Sequence, residues 1–144
     1  MFLTHFVVRV IQFVNLFFRP LILKDKVVII SRQADEPTLD IRLLTDFLKS
    51  KSVKTIVLTS TLKKTVTGMI KYAIHMMCQM YHISTSKIVI LDGYCILVSI
   101  LPKKGEQKVI QMWHALGAIK KFGWQNAENP DGNGKDIAEA MCMH

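Results

Sequence analysis

Cysteine is scarce and badly placed for cross-linking. Cys78, Cys95 and Cys142 are three in number, far apart, and include no C-x-x-C pair. That fits a reduced, cytoplasmic compartment better than a disulfide framework or a zinc ribbon. Glycine-rich phosphate loops are missing as well. No G-x-G-x-x-G follows the first candidate strand, and the DGNGKD run at 131–136 lacks the spacing and the Ser or Thr of a P-loop, reading instead as a solvated turn. Neither a dinucleotide nor any other cofactor is therefore expected. The amino terminus shows no leading positive charges and no small-residue cleavage site, so it is not a signal peptide. A transmembrane span is not expected either, because it needs about 20 apolar residues in a row and Arg9 interrupts the best candidate.

What is present is a chain of 144 residues, half hydrophobic and one fifth charged, which suits one domain with a real core. Its formal net charge of +8 is concentrated in two zones. Arg9, Arg19, Lys24, Lys26 and Arg32 face only Asp25 within 1–34, and Lys103, Lys104, Lys108, Lys120 and Lys121 face only Glu106 within 103–121. Anionic lipid, nucleic acid or a phosphate-rich substrate would each account for such zones. Nucleic acid is not expected, since no aromatic residues are interleaved with the basic ones.

The first segment, residues 1–20, is apolar at twelve positions between Phe2 and Phe18 and holds five of the seven phenylalanines. His5, Arg9, Gln12, Asn15 or Leu16, and Arg19 recur near helical spacing, which makes one narrow polar stripe on a helix that Pro20 stops. Such a helix suits a membrane interface, with basic residues reaching anionic head groups; a helix packed into an apolar groove is the structural alternative.

Beyond Pro20, strands alternate with helices. Apolar, β-branched runs at 26–33, 54–60, 87–93 and 108–114 read as strands, with helical periodicity at 39–48 and 66–82 and a short apolar segment at 96–101. The pattern predicts an α/β fold: a Rossmann-like open parallel sheet preceded by an amphipathic helix, with Val109, Ile110 and Met112 inside the sheet. The domain layout expected is the helix at 1–20, the sheet domain at 21–125, and a loop and the start of a final helix at 126–144. In such sheets ligands bind beyond the carboxyl ends of the strands, so Ser31 to Gln33, Thr59, Ser60, Asp92, Gly93 and His114 are expected on one rim. His75, Cys78 and His82 share a helical face, but Met76, Met77, Met80 and Tyr81 crowd the same turns without a carboxylate, so no metal site is expected.

The stretch Lys108 to Gly123, KVIQMWHALGAIKKFG, concentrates site-type features. His114 ends a strand, Gly117 permits close backbone approach, Lys120 and Lys121 add positive charge, and Trp113 and Phe122 can wall a site. VIQMWHALGAIKKFGWQ closely resembles the motif of the CDP-glycerol glycerophosphotransferase family, whose members build the glycerol- or ribitol-phosphate chains of wall teichoic acid. The resemblance runs weakly from about Lys26 and strongly from about Ile88 to Gln125. It implies the N-terminal, acceptor-binding domain of a GT-B-like transferase, peripheral on the cytoplasmic face of the membrane. It also implies His114 as the catalytic residue, with Trp113, Gly117, Lys120, Lys121 and Gly123 around the substrate. The implied partners are an undecaprenyl-linked glycerol-phosphate acceptor and CDP-glycerol. The donor would be held by a further domain absent from these 144 residues, which are expected to be inactive alone. A non-catalytic, membrane-docked binding module, or a truncated remnant of the family, is the competing expectation. Such a module would need the helix and the charges but not His114.

Overall fold

The central strand β1 (Lys24–Ser31) is built from KDKVVIIS, whose β-branched run is buried on both faces, as a strand in the middle of a parallel sheet requires. The computed structural model describes residues 2–61 and 65–112, with side chains from residue 5 onward. It opens with α1 (Phe2–Phe18); β1 is then followed by α2 (Leu39–Ser50), β2 (Thr55–Thr59), α3 (Val66–Thr85), β3 (Ser86–Leu91), α4 (Ile96–Ile100) and β4 (Lys108–Gln111). All strand pairs are parallel, and the order across the sheet is β2-β1-β3-β4. The fold is thus the open parallel α/β sheet with flanking helices that the alternation predicted, consistent with the Rossmann-like N-terminal domain of a GT-B transferase.

Because side chains alternate along a strand, β1 feeds two separate cores. Val27 and Ile29 pack with Ile41 of α2 and Ile90 of β3 on one face. Val28 and Ile30 pack on the other with Ile11 of α1, Met80 and Ile83 of α3, Val89 and Leu91 of β3, and Leu97 of α4. Each fully buried aliphatic side chain of this kind contributes about 1.5–3 kcal/mol. Thr65 caps α3 by accepting a hydrogen bond from the Gly68 amide at 3.1 Å. Ser52, with φ of 59°, turns the chain out of α2 while the Val53 amide bonds back to Leu48 O at 3.0 Å. At the other end of α3 there is no loop: Thr85 closes the helix and Ser86 opens β3. Their hydroxyls donate back to the carbonyls of Tyr81 (2.7 Å) and His82 (2.6 Å).

Two local expectations are corrected. β4 is an edge strand among the described residues, so Val109 and Ile110 are 38% and 47% exposed rather than interior; only Met112, just past the strand, packs against the α2-side core. The short apolar segment at 96–101 forms the one-turn helix α4. In α1, Asn15 does not join a solvent-facing polar stripe. It is buried on the inward flank beside Ile11, Val14 and Phe18, and the outward flank carries Phe6, Val10, Phe13 and Phe17.

Candidate functional site

The strand order reverses direction at β1: α2 leads to β2 on one side, and α3 crosses back to β3 on the other. In an open α/β sheet this places a crevice between the carboxyl ends of β1 and β3, where the loops diverge. Ser31, Arg32 and Gln33 come from β1, and Asp92 and Gly93 from β3. Two contacts set the crevice. The Gln33 side-chain amide donates to the Asp92 carbonyl at 3.3 Å, and the Gln33 backbone amide donates to the Ser31 hydroxyl at 3.3 Å. A side chain added at Gly93 would meet nothing within 4 Å, so the crevice is open there.

On the β2 side a small clasp closes the rim. The Asp35 carboxylate accepts from the Thr61 amide (2.8 Å) and hydroxyl (2.6 Å), while the Thr59 hydroxyl donates to the Asp35 carbonyl at 2.9 Å. These bonds tie the β1–α2 loop to the end of β2. Arg32 lies over the Tyr72 ring at 5.8 Å, pairs with no carboxylate among the described residues, and gives the rim an exposed positive charge. Asp92 is 4% exposed, which places a carboxyl group inside the crevice rather than at its lip. A cation beside an open crevice is suited to an anionic ligand such as a phosphate.

The rim therefore gathers Ser31 to Gln33, Thr59, Ser60, Asp92 and Gly93, as the sequence predicts. The Met112 amide bonds to Leu91 O at 2.7 Å, so the chain leaves β4 on this same edge. Trp113, His114, Gly117, Lys120, Lys121 and Gly123 follow in chain order and lie outside the described residues, as does the DGNGKD run. Sequence reasoning placed Asp92 and Gln33 on the rim only as strand-end residues. The burial of one and the crossing hydrogen bond of the other depend on pairing between β1 and β3, which no local pattern reveals.

The His75, Cys78 and His82 face of α3 is part of a partly buried helix. Nδ1 of His82 accepts from the buried Lys26 ammonium at 3.0 Å, Lys26 also sits 5.1 Å from the centre of the Tyr81 ring, and Cys78 is exposed. Burial holds the Lys26 pKa below its ordinary value, with Lys24 and Lys54 adding repulsion. Burial, and then the Lys26 charge, lower that of His82, and burial alone lowers that of His75. No group of three metal-binding side chains occurs among the described residues.

Fold and rim together define an α/β domain with an open crevice at the carboxyl edge of a parallel sheet. Comparison with known families narrows the class: the family model of CDP-glycerol:poly(glycerophosphate) glycerophosphotransferase matches residues 11–142, and the chain belongs to that family. It is similar to the teichoic acid ribitol-phosphate primase of Bacillus spizizenii, with 34% identity over 121 residues that cover 83% of this chain and 31% of the relative. A teichoic acid glycerol-phosphate primase of Bacillus subtilis is 40% identical over 67 residues, 46% of this chain and 18% of the relative. The teichoic acid poly(ribitol-phosphate) polymerase of Bacillus spizizenii is 35% identical over 57 residues, 40% of this chain and 9% of the relative. The chain thus spans less than a third of the length of these relatives.

Proposed function

We propose that this chain is the acceptor-side part of a transferase that moves glycerol phosphate, or ribitol phosphate, from a CDP-activated donor to a membrane-linked teichoic acid acceptor. The observation that carries the reading is the family match across nearly the whole chain, on a sheet whose carboxyl rim is open and bears Arg32. CDP-glycerol binding is assigned to residues outside these 144, and the acceptor to the rim.

In the proposed reaction an acceptor hydroxyl attacks the β-phosphorus of the donor. A new phosphorus–oxygen bond forms, the bond to the CMP oxygen breaks, and the hydroxyl proton passes to His114. A free hydroxyl is a poor nucleophile at neutral pH, and imidazole, with an ordinary pKa near 6.5, suits the task of base; such bases contribute about 10²- to 10⁴-fold. Lys120 and Lys121 hold acceptor phosphate or offset developing charge, the Gly117 amide donates to an oxygen, and Trp113 and Gly123 shape the wall.

The same reading places the protein at the cytoplasmic face of the membrane. No helix among the described residues is long and apolar enough to cross a bilayer. What supports peripheral attachment is the outward face of α1, where Phe6, Val10, Phe13 and Phe17 stand exposed, and the exposed Met69, Ile70 and Ile74 of α3, a helix in contact with α1. Neither helix contains an acidic residue. The test of the catalytic assignment is His114→Ala in a full-length protein carrying this domain. A fall in kcat of at least a hundredfold, with melting temperature and vesicle binding unchanged, is expected. Retained turnover, or a loss of activity that follows unfolding, would reject His114 as the base.

A further inference from the structure

At the amino end of the sheet, opposite the rim and about 20 Å away by the rise of the strands, a second cavity opens. Its volume is about 340 Å³, and it lies among the end of α1, the end of α3 and the loop that leads into β4. Arg19, Lys103 and Lys104 line it, and among the described residues no carboxylate does. Arg19 and Lys103 are exposed and pair with no acidic group among the described residues. Lys104 is partly buried; its ammonium donates to the carbonyls of Leu21 and Ser84, the latter at 2.6 Å, which leaves its third N–H for a ligand. Burial without a counter-anion lowers the Lys104 pKa, and an anion in the cavity would oppose that.

The neutral groups in the wall point the same way. Asn15 and Ser84 are each 7% exposed, and neither side chain makes a hydrogen bond to another described residue. Their polar atoms are not sealed from solvent, so both can meet a ligand that enters the cavity. Gln107 behaves differently, since its amide nitrogen is committed to Ile83 O at 2.6 Å and Ser86 O at 2.8 Å. It fixes the wall, while Asn15, Ser84 and the three cations remain able to bind.

We propose that this cavity holds the phosphate of an anionic phospholipid headgroup, with Arg19, Lys103 and Lys104 on the phosphate oxygens and Asn15 donating its amide. The lipid is favoured over a free phosphate by the surroundings. Phe17 and Ile22, 70% and 80% exposed, flank Arg19 in the chain next to the cavity, and a dissolved ion gains nothing from such an apolar margin. The proposal rests on the membrane reading above but names a separate site at the end of the sheet remote from the rim. It would fix how the domain sits on the bilayer, where apolar burial on its own leaves orientation loose.

Vesicle co-sedimentation of the 144-residue chain, with phosphatidylglycerol or phosphatidylcholine vesicles, tests this. Arg19→Gln with Lys103→Gln should weaken binding to phosphatidylglycerol at least tenfold and leave phosphatidylcholine binding as it was. The charge-matched control Lys49→Gln with Lys51→Gln, at the carboxyl end of α2 across the sheet, should lose much less; an equal loss would mean general charge attraction and would overturn the site. Amide NMR titration with soluble dihexanoylphosphatidylglycerol should give saturable shifts at Asn15, Ser84 and Gly105, abolished in Asn15→Leu, which removes no charge. Saturation by inorganic phosphate but not by the short-chain lipid would overturn the lipid assignment. The titration needs no bilayer, so a chain that fails to dock on vesicles but shows these shifts would sink the docking reading and keep the cavity.

Discussion

The two sides of the sheet are built to different rules. Toward α2 the core is mostly aliphatic, with Val27, Ile29, Ile41 and Ile90 covered by one helix that mixes Asp40 and Asp46 with Arg42 and Lys49, and the buried Thr45 hydroxyl of that helix donates back to Ile41 O at 2.7 Å. Toward α1, α3 and α4 the core is larger, yet it admits Lys26, Asn15, Gln79 and Ser84 among its buried residues, and its two long helices carry no acidic side chain. Aliphatic packing alone is the cheaper way to stabilise a fold, because each buried polar group adds a desolvation cost. The buried ammonium and amide side chains of Lys26, Asn15 and Gln79 therefore add a cost on this second side that the single Thr45 hydroxyl, bonded within its own helix, does not add toward α2. Both sides expose apolar residues outward, Leu39, Leu43 and Phe47 on α2 as well as the α1 stripe, so charge rather than hydrophobicity distinguishes them.

The largest effect expected from that contrast is on membrane attachment. Phe6→Glu, Phe13→Glu and Phe17→Glu together should abolish co-sedimentation with anionic vesicles, a loss of a hundredfold or more, while Leu39→Glu, Leu43→Glu and Phe47→Glu should preserve it. If the α2 set is as damaging as the α1 set, the two sides are equivalent and the contrast fails. Surface substitutions are the right tool, because Ile11 of α1 is part of the core and deleting the helix would open it.

Next in size are the two cores themselves. Ile29→Ala and Ile30→Ala each remove a fully buried side chain, and each should lower unfolding free energy by about 2–5 kcal/mol in urea titrations. The loss should be greater for Ile30→Ala. Three helices brace the cavity it leaves, whereas α2 alone can settle toward the gap left by Ile29. Equal or inverted losses would show that the extra helices do not stiffen their side.

The smallest effect is on pH dependence, and it belongs to the polar side alone. Burial lowers the pKa of His75 and His82 from 6.5, with Lys26 adding to the second. The unfolded chain then binds more protons than the folded one just below pH 6.5, so stability is complete above that pH and declines as pH falls toward the folded values. The denaturation midpoint should drop between pH 7 and 5.5, and His75→Gln with His82→Gln should at least halve the drop. An unchanged slope would mean that these imidazoles do not report on folding.

Much of this architecture was legible in the sequence. β-branched runs bounded by charge gave four strands, and helical spacing gave α2 and α3 close to their ends, because each signal is local. What pattern could not supply was position within the sheet. Val109 and Ile110 are as apolar as Val28 and Ile30, and only the strand order makes the former an edge. Asn15 misled for a related reason: a helix coated with apolar residues on both flanks does not announce which flank will be buried. At the site, the rim followed from the rule for parallel sheets, whereas the crossing of Gln33 to Asp92 and the cavity at the amino end required contacts between segments far apart in the chain.

The missing loop between α3 and β3 has a mechanical meaning. A helix of twenty residues passes directly into a strand, with the Thr85 and Ser86 hydroxyls lashed to the last helical turn, so the joint has no slack. Ser84 in that turn lines the cavity, while Asp92, one residue past the far end of β3, meets Gln33 at the rim. The two ends of the molecule are thus the two ends of one stiff rod. The spacing between the cavity wall and the crevice is therefore set by the length of β3 alone.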